Sequence, residues 1–303
     1  MKKNIYITGS HGLVASRFVE LALKDFNLIT PEIGELDITD GKAVFDYFKD
    51  KDVSSIINFA AYTDVSSAEG ERDDKNGACW KVNTEAVSNL IDLSREKNAH
   101  LIHISTDMVF PGSKEYPGPY SESQGPETSS EKLTWYGYTK AQAEELVKNK
   151  QGNRATILRL IYPVRSTFPG KLDYLRKPLM LYDQGKLYPM FTDQQISISF
   201  IDEICDALNV IIKGGVRGVF HASSKDTTNP FEIVSYLIEK ARGVKGAVKP
   251  LLLDDFIKTT NNSVRYPKYG GLKVEETEKT LGIKYGSWKQ IIDILIEQGV
   301  GGS

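Results

Sequence analysis

The 303-residue sequence predicts an α/β fold in which a doubly wound parallel sheet carries a smaller, discontinuous C-terminal lobe. Up to Pro163, short apolar runs alternate with stretches whose apolar residues recur at helical spacing, as in parallel βαβ units whose sheet is covered on both faces. Beyond Pro163 this alternation becomes irregular, which indicates a second lobe. We therefore expect a main domain over 1–163, to which 195–240 returns, and a lobe built from 164–194 and 241–300.

The elements of the main domain follow one another in regular order. Strands are expected where short apolar runs are bounded by turn residues, at 4–8, 26–30, 35–39, 54–61, 100–106 and 155–163. Helices are expected at 12–24, about 41–50, about 78–97 and from near Trp135. The segment 110–132, rich in Gly, Pro and Ser, is a loop long enough to have a function of its own.

The second half contains elements of both the sheet and the lobe. Residues 218–223 are expected to form a strand that returns to the sheet, and 196–213 a strand followed by a helix. Further helices are expected at 171–186, 274–282 and 287–298.

The composition excludes several classes of partner. With 26% charged residues and a net charge of −2, the chain lacks the basic excess that favours binding to nucleic acid or an anionic membrane. No apolar stretch reaches the length of a secretory signal or a membrane span, so we expect a cytoplasmic protein. Cys79, Cys205 and the four histidines show no metal-ligand spacing, and His103, inside an apolar strand, is expected to be a core residue.

The turn after the first strand has the features of a phosphate-binding turn. Gly9 allows a tight turn, Gly12 lets a pyrophosphate approach the backbone, and the small Ala15 lets the helix pack on the strand. Strand, glycines and helix in this order predict a Rossmann-type dinucleotide site, although the glycines could serve the turn alone. The predicted cofactor contacts here are Gly9, Ser10, His11, Gly12, Leu13 and Val14.

Two further strand ends offer groups at the sheet edge where open α/β sheets bind ligands. Asn58-Phe59-Ala60-Ala61 ends a strand in small residues, which let a flat ring or a ribose lie across the edge or, alternatively, let a helix pack closely. Asp37, with Ile38, could contact an adenine, or Asp37 could cap the next helix, a role open also to Thr39 and Asp40.

A third strand end carries Ser105, Thr106 and Asp107 in succession. Three polar residues after a buried run exceed what a strand end needs, although a simple Ser/Thr/Asp turn would have the same composition. We expect these residues to lie at the ligand edge of the sheet.

Tyr136 and Lys140 are four residues apart, which places them one turn apart on the same helix face. Tyr138 lies about 200° away around the helix axis. The spacing Tyr-x-x-x-Lys by itself decides little, because it recurs at Tyr47, Tyr182, Tyr236, Tyr269 and Tyr285.

Taken together, these motifs resemble those of the extended short-chain dehydrogenase/reductases. They are the Thr-Gly-x-x-Gly turn, Asn58-x-Ala-Ala, Asn83 in a long helix, the Ser/Thr strand end and Tyr136-x-x-x-Lys140. "STDMVFPG" (105–112) and "YGYTKAQAE" (136–144) are most similar to the dTDP-4-dehydrorhamnose reductases, as are "AAYTDVSSAE" (60–69) and "VRYPKYGGL" (264–272).

The resemblance implies hydride transfer from NADPH or NADH to a nucleotide-linked 4-keto-6-deoxy sugar, most simply dTDP-4-dehydro-L-rhamnose. Of the six Tyr/Lys pairs, only Tyr136/Lys140 opens the helix after the Ser-Thr-Asp strand. Tyr136 would give the proton, and Lys140 would lower the pKa of that tyrosine from about 10 toward neutrality and hold the nicotinamide ribose. Thr106 would donate a hydrogen bond to the substrate carbonyl oxygen.

The resemblance also implies further contacts. Additional cofactor residues would be Phe59, Ala60, Ala61, Tyr62, Asn83, Ser105 and Tyr162, beside Tyr136 and Lys140 themselves. Substrate residues would be Thr63, Val65, Asp107 and Arg265. Arg165, Lys171, Arg176 and Arg265 could contact a substrate pyrophosphate or be surface charges. The family also associates with Mg²⁺ and with homodimers, and the chain contains no self-sufficient carboxylate cluster for a metal.

The chain departs from the reductase pattern at three places. An Arg-Thr-Ser-Trp run is replaced by 159–163, a Gly-x-Pro-Thr segment by "DQQISISFID", and 70–80 is an added stretch. These departures leave the identity of the substrate open. A close alternative to the reductase is a nucleotide-sugar epimerase or dehydratase, which retains its NAD through the cycle. A non-catalytic nucleotide-binding subunit, like the regulatory subunit of methionine adenosyltransferase, is a further alternative, against which the complete Thr106, Tyr136 and Lys140 set argues. Glu32 would favour NAD and Arg17 NADP, so the cofactor choice stays open.

Overall fold

A computed structural model describes residues 2–259 and 266–302 of the chain. Its strands are β1 (Asn4–Thr8), β2 (Asn27–Ile29), β3 (Ser55–Asn58), β4 (His100–Thr106), β5 (Thr156–Leu160), β6 (Pro163–Val164), β7 (Met190–Phe191), β8 (Ser199–Phe200), β9 (Gly218–Ala222) and β10 (Pro250–Leu251). Its helices are α1 (Leu13–Ala22), α2 (Gly41–Phe48), α3 (Val65–Gly70), α4 (Ala78–Trp80), α5 (Ala86–Glu96), α6 (Trp135–Gln151), α7 (Arg176–Asp183), α8 (Ile201–Gly214), α9 (Pro230–Arg242), α10 (Leu253–Ile257), α11 (Glu275–Leu281) and α12 (Trp288–Glu297).

The central sheet has six strands in the order β2-β1-β3-β4-β5-β9. β1 pairs in parallel with β2 and β3, and β3 with β4, so that Ile57 lies between Ile7 and Ile102. Helices flank this sheet, and the predicted doubly wound α/β fold is confirmed. The predicted return of 218–223 to the sheet is also confirmed, as β9 beside β5.

The chain divides into two compact units. Unit 1 contains the residues up to Phe110, Gly125–Arg159 and Cys205–Phe220, and unit 2 contains Pro111–Gln124, Leu160–Ile204 and the residues from His221 onward. Of the predicted return over 195–240, only the part from Cys205 to Phe220 groups with unit 1. The assignment of the two units to cofactor and substrate stays a prediction.

The core of unit 1 forms where the apolar faces of the helices cover the sheet. Tyr6 and Ile56 project from β1 and β3 into a cluster with Val44 and Phe48 of α2 and with Leu90 of α5. Tyr6 and Phe48 have ring centroids 4.4 Å apart. Each fully buried side chain of this kind stabilises the fold by about 1.5–3 kcal/mol.

The predicted strand at 35–39 is wrong, since these residues form turns. The carboxylate of Asp37 accepts hydrogen bonds from the backbone N–H and the hydroxyl of Thr39, at 2.9 and 2.8 Å, and so closes a local turn. Leu36 and Ile38 are buried in the unit 1 core. Their alternation, which suggested a strand, comes from a turn that directs every second side chain inward.

The predicted helix at 78–97 is interrupted by a π-helical turn, Lys81–Glu85, between α4 and α5. The predicted helix at 171–186 is confirmed only as α7, from Arg176 to Asp183. Three helices, α3, α9 and α10, were not predicted.

Unit 2 has its own core between α9 and α12. Ile233 and Leu237 of α9 and Ile291 and Leu295 of α12 are fully buried in it. Ser287 caps α12 in a capping box with Gln290. No helix in the part of the chain that the structure describes is long and apolar enough to cross a membrane.

The turn at 35–39 provides a test of core packing outside regular secondary structure. We expect Leu36→Ala to lower the free energy of unfolding by about 2–5 kcal/mol, because Leu36 is 5% exposed and its loss leaves a cavity. Ile33→Ala in the same segment is the control, since Ile33 is 84% exposed. Equal effects of the two variants in urea unfolding would contradict this account of the turn.

Candidate active site

The glycine turn packs directly on the end of β3. Gly9 has φ +62°, and a Cβ there would lie 2.9 Å from the backbone nitrogen of Ala60, so only glycine fits without strain. The Gly12 N–H donates to the Gly9 carbonyl at 2.9 Å, and Gly12 is the N-cap of α1. The turn thus lies against Ala60 at Gly9, and α1, whose first residues are Leu13 and Val14, begins directly after it. This is the arrangement in which backbone N–H groups can receive a pyrophosphate.

The remaining predicted residues around this turn have different environments. Ser10 is buried, whereas His11 is exposed and lies 3.7 Å from Glu32. Asp40, not Asp37, caps α2, by accepting a hydrogen bond from Ala43. The structure therefore places Asp37 in its own turn with Thr39.

The helix that carries Tyr136 approaches the end of β4 through a glycine. Thr134 caps α6 by accepting a hydrogen bond from the Gly137 N–H at 3.0 Å. A Cβ at Gly137 would collide with the carbonyl oxygen of Met108. This close approach brings Tyr136 near the Thr106 side chain, which acts on the pKa of the tyrosine. Sequence reasoning missed Gly137, although a glycine inside a helix is a recognisable signal of close packing.

Lys140 is almost completely buried one turn further along α6. Its ammonium nitrogen lies 2.7 Å from the Ile104 carbonyl oxygen and 3.1 Å from His103 Nε2. Burial lowers the pKa of Lys140 from 10.5 to about 8, against the opposing effects of Glu144 and Cys79. Burial and Lys140 hold the pKa of His103 well below 6.5. His103 is a buried residue, as expected from the sequence, but its contact with Lys140 was not predicted.

The expectation that the pKa of Tyr136 lies near neutrality is wrong. Burial raises the pKa of Tyr136 above its ordinary value of 10.0, and Asp107 raises it further, while the Thr106 side chain acts in the opposite direction. Tyr136 therefore keeps its proton at neutral pH, which is the state that a proton donor requires.

Asp107 lies between Thr106 and the turn that follows β4. The Thr106 hydroxyl donates to Asp107 Oδ1 at 3.1 Å. Burial raises the pKa of Asp107 to about 7, even though hydrogen bonds from Thr106 and from two backbone N–H groups oppose the rise. Asp107 thus changes charge near neutral pH, directly beside the predicted catalytic pair.

Two predicted cofactor residues hold neighbouring backbone and side chains in place. Asn83 accepts from the Tyr62 N–H at 2.8 Å and donates to the Tyr62 carbonyl and to Thr139 at 3.2 and 3.0 Å, which occupies its amide. Ser105 donates to Glu144 at 2.5 Å, and Glu144 forms a buried ion pair with Arg159 at 2.7 Å. These partners are distant in sequence, so no local pattern announces them.

Phe59, Ala61 and Tyr62 follow β3, and each is partly exposed. The predicted substrate residues Thr63 and Val65 come next in the chain. Thr63 is exposed, and Val65 begins α3. The Asp64 side chain caps α3 by accepting from Ser67.

The added stretch at 70–80 packs against the first turn of α6. Arg72 pairs with Glu69 and donates to the carbonyl of Leu133 at 2.9 Å, and Glu69 accepts from the Trp135 N–H. Trp80 stacks on Trp135 with ring centroids 5.9 Å apart. We call this group of Glu69, Arg72, Trp80 and Trp135 the brace.

Five predicted ligand contacts lie in unit 2 or outside the described residues. Tyr162 has φ +41° and a ring centroid 4.2 Å from that of Tyr174. Arg176 pairs with Asp173 at 2.7 Å and donates to the Phe168 carbonyl at 2.9 Å, so its charge already has a partner. Arg165 and Lys171 also belong to unit 2, and Arg265 lies outside the described residues. Within 2–259 and 266–302, no group of three or more His, Cys, Asp or Glu side chains could hold a metal ion.

A family model described as "RmlD substrate binding domain" matches residues 2–300. The chain belongs to this family. A probable low-salt glycan biosynthesis reductase, Agl14, from Haloferax volcanii is 26% identical over 290 residues, 91% of this chain and 92% of that protein. A dTDP-4-dehydrorhamnose reductase of Sinorhizobium fredii is 26% identical over 292 residues, 94% of this chain and 93% of that protein. The predicted resemblance to the dTDP-4-dehydrorhamnose reductases is confirmed.

Solved structures of two dTDP-4-dehydrorhamnose reductases have the same fold. The crystal structure of a dTDP-4-dehydrorhamnose reductase from Bacillus anthracis in complex with NADP superposes with a TM-score of 0.83 at 24% identity, over 98% of this chain and 99% of that one. A reductase from Yersinia enterocolitica superposes with a TM-score of 0.82 at 21% identity, over 98% and 99% of the two chains.

The contact between Gly137 and Met108 can be tested by adding one methyl group. We expect Gly137→Ala to lower the free energy of unfolding by about 1–3 kcal/mol, because the backbone must shift to relieve the collision. Gly70→Ala is the matched control: Gly70 is also helical, a Cβ there meets nothing within 4 Å, and alanine should be neutral or stabilise by up to about 1 kcal/mol. If both variants stabilise the protein, the close approach is not required.

The lowered pKa of Lys140 predicts a pH dependence of stability. Between pH 8 and 10.5 the unfolded chain binds a proton at Lys140 that the folded chain has released. The contribution of Lys140 to the free energy of unfolding therefore rises across this window and is constant below it. The free energy of unfolding of the wild type minus that of Lys140→Met, measured in denaturant, should therefore increase from pH 8 to 10.5. Lys148→Met, at an exposed position of α6, is the control. A difference independent of pH would contradict the buried location of the amine.

Proposed function

We propose that this protein is a nicotinamide-dependent reductase of a nucleotide-linked 4-keto-6-deoxy sugar, most simply one that converts dTDP-4-dehydro-L-rhamnose to dTDP-L-rhamnose. The observation that carries the proposal is the buried Tyr136, protonated at neutral pH and beside Thr106, with Lys140 one turn along the same helix. The names of the Sinorhizobium fredii and Haloferax volcanii relatives, both reductases, support the reaction class.

The residues at the end of β4 suit the reduction of a ketone. A bound nicotinamide would supply the hydride to the carbonyl carbon. Thr106, whose hydroxyl now donates to Asp107, could turn its O–H toward the carbonyl oxygen and stabilise the negative charge that develops there. Tyr136 would then give its proton to the same oxygen, which completes the alcohol and leaves a tyrosinate for solvent or a neighbouring group to reprotonate.

Binding of the cofactor would use the glycine turn and the side chains beside it. The backbone N–H groups at the start of α1 would receive the pyrophosphate, and the small residues after β3 would leave room for a ribose. Lys140 would donate to the nicotinamide ribose, and the NADP complex of the Bacillus anthracis structure supports a nicotinamide cofactor. Glu32 would disfavour a 2′-phosphate and Arg17 would favour one, although Arg17 pairs with Glu20 at 3.1 Å. Dissociation constants for NADH and NADPH distinguish the two. A requirement for Mg²⁺ and a homodimeric state stay predictions.

The decisive experiment is a turnover screen of the purified protein over nucleotide-linked keto sugars with NADPH and with NADH. Consumption of reduced cofactor with formation of the alcohol supports the proposal. Protein that retains NAD through purification and releases a product of unchanged oxidation state would instead indicate an epimerase or dehydratase. Cofactor binding without turnover of any keto sugar would overturn the enzymatic proposal.

The assignment of Tyr136 is tested by two changes of the same size. Tyr136→Phe removes one hydroxyl and leaves the ring in place, so we expect cofactor affinity to persist while turnover falls by on the order of 10²-fold or more. Tyr138→Phe is the control, because its ring stacks on Trp135 with centroids 5.5 Å apart, away from Lys140. Measurement of kcat and of nicotinamide binding for both variants decides. Loss of activity in Tyr138→Phe, or a Tyr136→Phe enzyme near wild type, would sink the assignment.

A further inference from the structure

A row of buried polar side chains links the end of β1 to Lys140. Thr8 Oγ1 lies 2.6 Å from Asn58 Oδ1, Asn58 Nδ2 lies 3.2 Å from His103 Nδ1, and His103 Nε2 lies 3.1 Å from Lys140 Nζ. All four side chains are at most 3% exposed. The four residues come from three adjacent parallel strands and from α6, so the row crosses the sheet beneath the glycine turn.

The direction of the first hydrogen bond follows from its length and from a neighbour. Thr8 Oγ1 accepts from the Ala60 N–H at 3.0 Å, which leaves its single hydrogen free to donate. A separation of 2.6 Å suits O–H···O and is shorter than the usual N–H···O range of about 2.7–3.2 Å. Thr8 therefore donates to the amide oxygen of Asn58, and the Asn58 NH₂ group faces His103. Heavy-atom positions alone do not distinguish the two orientations of the Asn58 amide, so the hydrogen bond from Thr8 assigns the orientation.

The imidazole continues the chain in the same direction. The Asn58 NH₂ group donates to His103 Nδ1, so the neutral ring carries its proton on Nε2. That N–H points at Lys140 Nζ, which must supply a lone pair to accept the hydrogen bond. A neutral amine has a lone pair, whereas an ammonium group has none. The amine in turn donates to the Ile104 carbonyl.

We propose that Thr8, Asn58 and His103 form a hydrogen-bond chain of fixed direction that ends on Lys140, favours its neutral form and makes His103 a positioning residue for this amine. To accept a proton, Lys140 must donate to His103 Nε2, which moves the ring proton to Nδ1. The N–H on Nδ1 then faces the NH₂ group of Asn58, so that two donors meet unless the Asn58 amide turns over. The turned amide would place its N–H against Thr8 Oγ1 at 2.6 Å, which is too short for an N–H···O hydrogen bond.

Other groups around the amine act differently. Glu144 and Cys79 both favour the charged amine, and Tyr136, one turn earlier on α6, keeps its proton at neutral pH. Glu144 is itself paired with Arg159. The chain through His103 therefore acts together with burial, which lowers the pKa of Lys140 to about 8.

This inference refines the proposed function, because it concerns the protonation of a residue assigned to cofactor binding. Its test is a lysine titration, which gives an answer whether or not the protein reduces a keto sugar. The protein is labelled with ¹³C at the lysine ε-carbons and titrated by NMR from pH 6 to 11. The signal missing from Lys140→Met identifies Lys140.

The variants remove one link at a time. Thr8→Val deletes the first donor at nearly constant volume, frees the Asn58 amide to turn, and should raise the Lys140 midpoint by about 0.5–1 pH unit, the size of one hydrogen bond. Thr8→Ser keeps the hydroxyl and should leave the midpoint unchanged. In a His103→Phe background the chain is cut, so Thr8→Val should no longer shift the midpoint.

A second pair of variants separates the chain from simple electrostatics. Asn58→Asp offers His103 Nδ1 an acceptor in place of a donor and should raise the Lys140 midpoint by about 1 pH unit or more. If the effect passes through the ring, it shrinks in the His103→Phe background, whereas the direct attraction of a carboxylate would persist there. His103→Leu replaces His103→Phe if the latter does not fold. An unchanged midpoint in Thr8→Val, or equal shifts with and without the imidazole, would overturn the proposal.

Discussion

The contact between the backbone of α6 at Gly137 and the carbonyl of Met108 is the constraint on which the candidate site depends. Helices normally stand off from a sheet by the length of their side chains, but here the helix backbone comes to the turn after β4 without any side chain between them. This brings Tyr136 near Thr106 at the end of β4 and sets Lys140 over the same strand, with its amine 2.7 Å from the Ile104 carbonyl oxygen. A larger residue at this one position would separate the helix from the strand end and with it the three predicted catalytic groups.

The same close packing determines the charges of the site. Removal from water disfavours the charged form of every ionisable group, so it raises the pKa of Tyr136 and Asp107 and lowers that of Lys140. The tyrosine therefore remains a donor while the lysine and the aspartic acid change charge within about one unit of neutral pH. Burial thus leaves Tyr136 protonated, while Lys140 and Asp107 titrate near neutral pH. The resting protein needs no tyrosinate.

The sequence predicted the features that depend on local pattern. The order of strands and helices and the glycine turn at Gly9 follow from spacing and composition, and the structure has them where they were expected. The choice of Tyr136 with Lys140 among six such pairs came from the family resemblance, and the structure places both residues on α6. The prediction failed at 35–39, because an inward-directed turn and a strand show the same alternation of apolar residues. It also missed the partners of Asn83 and Ser105, since Tyr62 and Glu144 approach them only after the chain has folded. The raised pKa of Tyr136 depends on the density of its surroundings, which spacing does not reveal.

The brace holds the first turn of α6 in place whatever the conformation of the rest of the preceding loop. Its hydrogen bonds to the α6 backbone and its stacked indoles join residues more than 50 positions apart in the chain, and its ion pair fixes Arg72 and Glu69, so the turn cannot fray one residue at a time. Amide hydrogens there should exchange with solvent only when α3, the added stretch and α6 open together. The placement of the tyrosine is thus a cooperative property of the segment that contains the brace, and changes in that segment would act on catalysis through the population of an open state.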